Sequence, residues 1–134
     1  MQKRNLTITS QQTGNFDTGG AWTDVPQFII AVPEDGNYDI IAQCHTYAPS
    51  NDRGVAIRLA IDLNPIEGTQ RQNHPISASA ITHTLGLNTS VYNIALKAGQ
   101  SVSMQGIDVG TAGGLIALSG TTARGSLQII KRGV

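Results

Sequence analysis

Apolar and polar residues alternate along most of this chain in short runs, and a period of two is typical of half-buried β-strands. The alternating positions fall into eight runs: Leu6 and Ile8; Phe28, Ile30 and Val32; Tyr38, Ile40, Ala42 and Cys44; Val55, Ile57, Leu59, Ile61 and Leu63; Ile81, His83, Leu85 and Leu87; Tyr92, Ile94 and Leu96; Val102 and Met104; Leu127 and Ile129. No window carries the i, i+3, i+4, i+7 pattern of an amphipathic helix. The pattern therefore predicts an all-β protein.

Turn-forming residues separate these runs, most clearly at residues 33–37 and 48–54. Glycine permits positive φ, proline fixes φ, and Asn or Asp side chains bond to the nearby backbone, so such clusters favour turns. Residues 11–21 and 64–75 read as loops. The spacing predicts one domain over residues 1–134, an antiparallel β-sandwich of about 8–10 strands. Residues 1–10 form either an N-terminal arm or an edge strand.

The stretch from Asn88 to Gln105 shows the succession of strand, turn and strand most clearly, because two alternating runs flank the turn Lys97-Ala98-Gly99-Gln100. Two strands joined by a short glycine turn predict a β-hairpin. A crossing between two packed sheets would give the same pattern, so the sequence leaves both arrangements open.

Charge and composition limit the possible partners. Nine acidic and nine basic residues give zero formal net charge, and charged residues make up 13% of the chain, against roughly 25% in typical soluble domains. We therefore expect no nucleic-acid partner and no membrane partner. So little charge leaves solubility to Thr, Ser, Asn and Gln, which suits an exposed β-surface or one that is covered by neighbouring chains. The N-terminus lacks the apolar run of a signal peptide, so we expect synthesis in a cytoplasm.

Residues that could carry chemistry do not form a recognisable catalytic or metal site. Cys44 is the single cysteine, and its neighbour His45 should point to the opposite face of the same strand. The tripeptide Asp17-Thr18-Gly19 matches aspartic proteases but lacks the apolar strand that leads into that motif. The three histidines are far apart, whereas zinc needs three or four converging ligands. We expect a non-enzymatic protein without a cofactor or metal.

Several motifs resemble the jelly roll of the tumour-necrosis-factor and complement globular-head superfamily. An apolar run leads through a proline, Phe28-Ile-Ile-Ala-Val-Pro33, to Gly36-Asn37-Tyr38 and a long strand. A leucine, glycine and valine then follow at Leu96, Gly99 and Val102. The resemblance covers roughly residues 22 to 132 and implies a TNF-like jelly roll.

The segment Ala21-Trp22-Thr23-Asp24-Val25-Pro26, with the Asp-Gly-Asn-Tyr turn after it, is similar to jelly-roll domains of tailed-phage virion proteins. These include head decoration proteins and the tips of tail fibres. The resemblance implies a homotrimer on the surface of a virion, bound to the major capsid protein and made in the host cytoplasm. The length of the chain suits a decoration protein better than a fibre.

Candidate contacts follow from this hypothesis. A trimer needs an apolar face outside the core, and residues beside or opposite the core-facing alternation are candidates for its axis: Ile41, Tyr47, Tyr92 and Ile130. The N-terminal arm is a candidate capsid contact, because an extended segment can add a strand to a sheet edge. Its candidate residues are Lys3, Arg4, Asn5 and Leu6.

The alternative hypothesis is a receptor-binding or carbohydrate-binding module on the same fold. It would place a ligand in the loops at residues 48–54 or 64–75, with Tyr47, Arg53 and Arg71 as candidate contacts.

Overall fold

The computed structural model describes residues 6–11, 16–17, 19–48, 53–72, 83–110, 115–117 and 125–133, and every regular element within these ranges is a β-strand. The strands are β1 (Thr7–Gln11), β2 (Phe16–Asp17), β3 (Thr23–Ala31), β4 (Gly36–Ala48), β5 (Arg53–Ile61), β6 (Asn64–Pro65), β7 (Arg71–Gln72), β8 (His83–Leu96), β9 (Ser101–Gly110), β10 (Leu115–Ala117) and β11 (Ser126–Lys131).

These strands form two sheets. Sheet A has the order β1-β11-β4-β10-β2, and β8 also pairs with β4; sheet B has the order β3-β9-β5-β6, and β7 also pairs with β5. Every pair is antiparallel. The predicted antiparallel β-sandwich is confirmed. The strand number exceeds the expected one because two-residue strands lie in segments that read as loops.

The core lies between the two sheets and is built from alternate residues of the long strands. The fully buried apolar side chains include Val25, Phe28, Tyr38, Ile40, Ala42, Val55, Ile57, Leu59, Val102, Met104, Leu127 and Ile129. Burying one large apolar side chain stabilises the fold by roughly 1.5–3 kcal/mol. The Tyr38 ring is buried while its hydroxyl donates to the Glu34 carbonyl at 2.8 Å, and burial raises the pKa of that phenol.

The chain crosses from sheet A to sheet B between β8 and β9. Strand β8 pairs with β4, whereas β9 pairs with β3 and β5, so these two strands are not a hairpin. Gly99 has φ +90° in the connecting turn, and the Gln100 side chain accepts the Lys97 N–H at 2.7 Å. Of the two arrangements that the sequence left open, the crossing is correct.

Leu63 departs from the predicted alternation because β5 ends before it. Asp62 and Leu63 have φ of +49° and +69° and form the turn to β6. Leu63 is therefore 69% exposed. The Asp62 carboxylate accepts the Ser101 N–H at 2.8 Å, which fixes this turn to the start of β9.

Tyr92 also faces away from the core, although the alternating pattern predicts that it lies on the same side of the strand as Ile94 and Leu96. Asn93 has φ +56°, and the β4–β8 register shifts between Tyr38 and Ile40. The extra residue of such a β-bulge reverses the facing of the residues that precede it. Tyr92 is accordingly 59% exposed, while Leu96 is 2% exposed.

Two ion pairs join the end of β11 to the start of β4 and the turn before it, in addition to the backbone hydrogen bonds of the sheet. Arg132 Nε donates to Asp39 Oδ1 at 2.8 Å, and the same oxygen accepts the Asn93 N–H at 2.9 Å. The hydrogen bond from Arg132 holds the pKa of Asp39 below its usual value. Lys131 Nζ lies 2.9 Å from Glu34 Oε1.

Replacing Leu59 and Leu63 separately by alanine tests the boundary of the core. Leu59 is fully buried, so Leu59→Ala should lower the free energy of unfolding by about 2–5 kcal/mol. Leu63→Ala should change it by less than about 0.5 kcal/mol, since the side chain is exposed. Urea unfolding of both variants measures the difference. Equal losses would contradict the placement of Leu63 in a turn.

The Asp39 contacts should make part of the stability depend on pH. A carboxyl whose pKa is lower in the folded state stabilises fully above its unfolded value, about 4, and this stabilisation is lost as pH falls through the folded value. Asp39→Asn should therefore be less stable than the wild type at pH 7, with a smaller deficit near pH 2. Unfolding in urea across this range measures the deficit. Arg132→Gln, which removes the main cause of the shift, should behave similarly; a deficit independent of pH would contradict the assignment.

Candidate functional site: the outward faces of the two sheets

The outward face of sheet A carries three of the four candidate trimer residues. Ile130 pairs with Asp39 across β11 and β4, and Tyr92 lies on the other side of Asp39 at the β8 bulge. Ile41 follows two residues after Asp39 on the same side of β4. Ile41 and Ile130 are half-buried and Tyr92 is exposed. We call this surface, defined by Ile41, Tyr92 and Ile130, the sheet A face.

The Asp39–Arg132 pair lies within the sheet A face and balances its own charge. Asp39 has 17% of its side chain exposed and Arg132 has 52%. The Asp39 carboxylate thus accepts hydrogen bonds from the Asn93 N–H and from Arg132 Nε, and the more exposed arginine shields it from water. A surface that combines apolar side chains with a matched ion pair presents no net charge to a second copy of itself.

Tyr47, the fourth candidate, lies farther along β4, where its backbone pairs with Thr84 and Leu115. It lies six positions after Ile41, a distance of roughly 20 Å at 3.3 Å per residue. Its side chain lies outside the described part of the structure.

The candidate N-terminal arm is partly an edge strand. Residues 7–11 form β1, which pairs with β11, and the Leu6 carbonyl accepts the Lys131 N–H at 2.7 Å. Leu6 is half-buried, so it belongs to the sheet. Lys3, Arg4 and Asn5 lie outside the described residues.

The loop residues of the alternative hypothesis belong to different sheets. Tyr47 is in sheet A, whereas Arg53 opens β5 and Arg71 opens β7 in sheet B. Arg71 is exposed, and its Nη1 donates to the carbonyls of Gly68 and Gln70 at 3.1 and 2.7 Å. That nitrogen is therefore already bonded within its own loop. The Arg53 side chain lies outside the described part.

A polar network lies on the outward face of sheet B, and sequence reasoning did not identify it. Arg58 Nε donates to Gln105 Oε1 at 2.7 Å, and Gln105 Nε2 donates to Asp24 Oδ1 at 3.0 Å. Ser103 Oγ donates to the same Asp24 oxygen at 2.9 Å. The guanidinium carbon of Arg58 lies 4.1 Å from the centre of the Trp22 ring. We call these five residues the sheet B network.

Strand register explains why these residues meet. Asp24 pairs with Gln105, and Gln105 pairs with Arg58, so three neighbouring strands each contribute one side chain to a single row. Gln105 is 4% exposed and Ser103 2%. Both ends of the Gln105 amide are bonded, which fixes its orientation. Desolvation lowers the pKa of Arg58, although a guanidinium stays charged at any ordinary pH.

No local motif could have revealed this network. Gln105 lies 81 positions from Asp24 and 47 from Arg58, and the sequence does not give the strand order that joins them. Alternation did contain a partial signal, because Arg58 lies between the core residues Ile57 and Leu59 and must face outward.

Cys44 belongs to the core and not to a catalytic dyad. Its side chain is 2% exposed, and burial raises the pKa of the thiol to about 12. A thiol with that pKa is protonated at neutral pH and is a poor nucleophile. Within the described ranges, no three His, Cys, Asp or Glu side chains converge on a possible metal position. None of the described residues forms a helix that could span a membrane.

Comparison with known proteins identifies a similar fold and no matching family. No family model and no curated protein matches the sequence. A solved structure that matches is described as "Structure of Eiger TNF from S. frugiperda", with a TM-score of 0.64, 15% sequence identity, and coverage of 94% of this chain and 92% of that chain. At this identity the likeness establishes the fold alone. The chain thus has the TNF-like jelly roll that its sequence motifs suggested.

Proposed function

We propose that this chain is a non-enzymatic structural protein of a virion, a homotrimer that decorates the capsid and stabilises it. The similarity of residues 21–26 and the following Asp-Gly-Asn-Tyr turn to tailed-phage virion proteins supports the virion assignment. The TNF-like jelly roll is compatible with it. Low charge content suits a chain whose surfaces are covered in an assembly.

The sheet A face is the observation that carries the proposal of self-association. An aromatic side chain that is 59% exposed lies on the same face as two half-buried isoleucines, and no net charge opposes contact, since Asp39 is paired with Arg132. Removing apolar surface from water contributes roughly 25 cal/mol per Å². Contacts between three copies through this face would therefore stabilise a trimer.

Binding to the capsid would act through mass action. A protein that binds only the assembled lattice shifts the assembly equilibrium toward the shell. Strand β1 is the terminal strand of sheet A in the described topology. Its outer edge is suited to pairing with a strand of the major capsid protein.

The recognition module remains a second candidate, because the sheet B network provides a specific arrangement of polar and aromatic groups. It would use a surface on the opposite side of the sandwich from the proposed trimer contact.

A pair of matched substitutions tests the trimer. Ile130→Asp places a charge on the sheet A face and should reduce the assembly from three subunits to one at micromolar concentration. Ile29→Asp is the control, because Ile29 is 44% exposed and lies on the outward side of β3 in sheet B. The Ile29→Asp variant should remain a trimer. Light scattering after size exclusion measures the mass, and a monomeric wild-type protein would refute the proposal.

Co-sedimentation tests the capsid assignment. Wild-type protein should sediment with empty shells assembled from the capsid protein of the same genome, and it should raise the temperature at which those shells dissociate. Ile130→Asp should bind them more weakly, since a monomer loses the avidity of three linked contacts. Binding to host cell envelopes without binding to shells would instead favour the recognition module.

A further inference from the structure

The sheet B network has one donor group and one acceptor group with unused capacity. Arg58 uses Nε for Gln105, and neither of its Nη atoms donates to a described residue. Asp24 uses Oδ1 for Ser103 and Gln105, and no described residue donates to its Oδ2. Arg58 and Asp24 are both half-buried, so part of each charged side chain remains in contact with solvent and can meet a ligand.

The charge of the network restricts the class of ligand. It holds one guanidinium and one carboxylate in the same row, linked through the Gln105 amide. A ligand with a single charge of either sign is attracted by one of these groups and repelled by the other, so its charge adds little to binding. A neutral ligand with groups that both donate and accept hydrogen bonds satisfies both ends.

The surroundings of Arg58 add an apolar component. The Trp22 ring is half-buried and stacks with the guanidinium. On β5, Ala56 and Ala60 flank Arg58 and are 1% and 0% exposed, so Trp22 supplies the accessible apolar surface beside the arginine. Binding sites commonly combine such apolar surface with a few fixed polar groups that orient the ligand.

We infer that the sheet B network binds a neutral saccharide. Hydroxyl oxygens of the sugar accept from the Nη atoms of Arg58, and a neighbouring hydroxyl donates to Oδ2 of Asp24. The apolar face of the sugar ring packs against Trp22. Gln105 and Ser103 act as positioning residues, because they hold the arginine and the carboxylate from beneath. This activity goes beyond the proposed structural role, which rests on the sheet A face.

Fluorescence provides a direct test, because Trp22 is the single tryptophan of the chain. The purified full chain is titrated with the methyl glycosides of galactose, glucose and mannose, with inorganic phosphate and sialic acid as anionic probes. At least one neutral glycoside should give a saturable change in Trp22 emission. The anionic probes should give none.

Matched arginine variants locate the site. Arg58→Lys keeps the charge but loses the planar fork of donors, so binding of the neutral glycoside should weaken at least tenfold. Asp24→Asn should weaken it similarly by removing the charged acceptor. Lys97→Arg is the control and should bind as the wild type, since Lys97 is exposed in the turn between β8 and β9, outside the network. Circular dichroism establishes that each variant is folded.

Three outcomes would overturn the inference. The first is the absence of any saturable response to a neutral glycoside, both in solution and on an array of neutral glycans. The second is a response to phosphate or sialic acid in place of the neutral probes. The third is wild-type affinity in both Arg58→Lys and Asp24→Asn. Subunit number is measured on the same samples, so a failure of saccharide binding is distinguishable from a failure of the trimer.

Discussion

The structure depends on the strict period of two in its strands. Each long strand places alternate side chains between the sheets, and one register shift would exchange its buried and outward sets. In β4 and β5 this rule gives the rows that contain Ile40 and Ile57, both fully buried. The same rule leaves two outward faces, one on each of two sheets that pack about 10 Å apart. Any function of the described part beyond stability resides on those faces, at the edges or in the loops.

Alternation predicted most of the core and failed where the backbone leaves the regular strand conformation. Alternation places both Leu63 and Tyr92 with core residues. Leu63 itself has positive φ, and Tyr92 precedes Asn93, which also has positive φ. Such conformations are uncommon for residues other than glycine, so the sequence gives little warning of them. The crossing between β8 and β9 was undetermined for a different reason. A glycine turn joins two strands equally well within one sheet or between two.

The candidate surfaces were predictable to different degrees. Ile41 and Ile130 could be placed outside the core from alternation alone, because each stands next to core-facing residues. The sheet B network required the strand order, since register brings Asp24, Gln105 and Arg58 into one row only when β3, β9 and β5 are neighbours. Local periodicity defines which face a residue occupies. It does not define which residues share that face across strands.

The two outward faces differ in a way that bears on how copies of this chain would associate. Contact through sheet B would cover Arg58 and Asp24, and charges that lose water without a new partner destabilise an interface. Contact through sheet A covers apolar side chains, the uncharged polar side chains of Gln128 and Ser90 that pair with Ile41, and an ion pair that is already matched. Association through sheet A would also leave every sheet B network on the outer surface of the assembly. If the proposed trimer forms and the proposed saccharide binds, three linked sites would raise the effective concentration for a multivalent saccharide, and weak binding at each network would suffice for stable attachment.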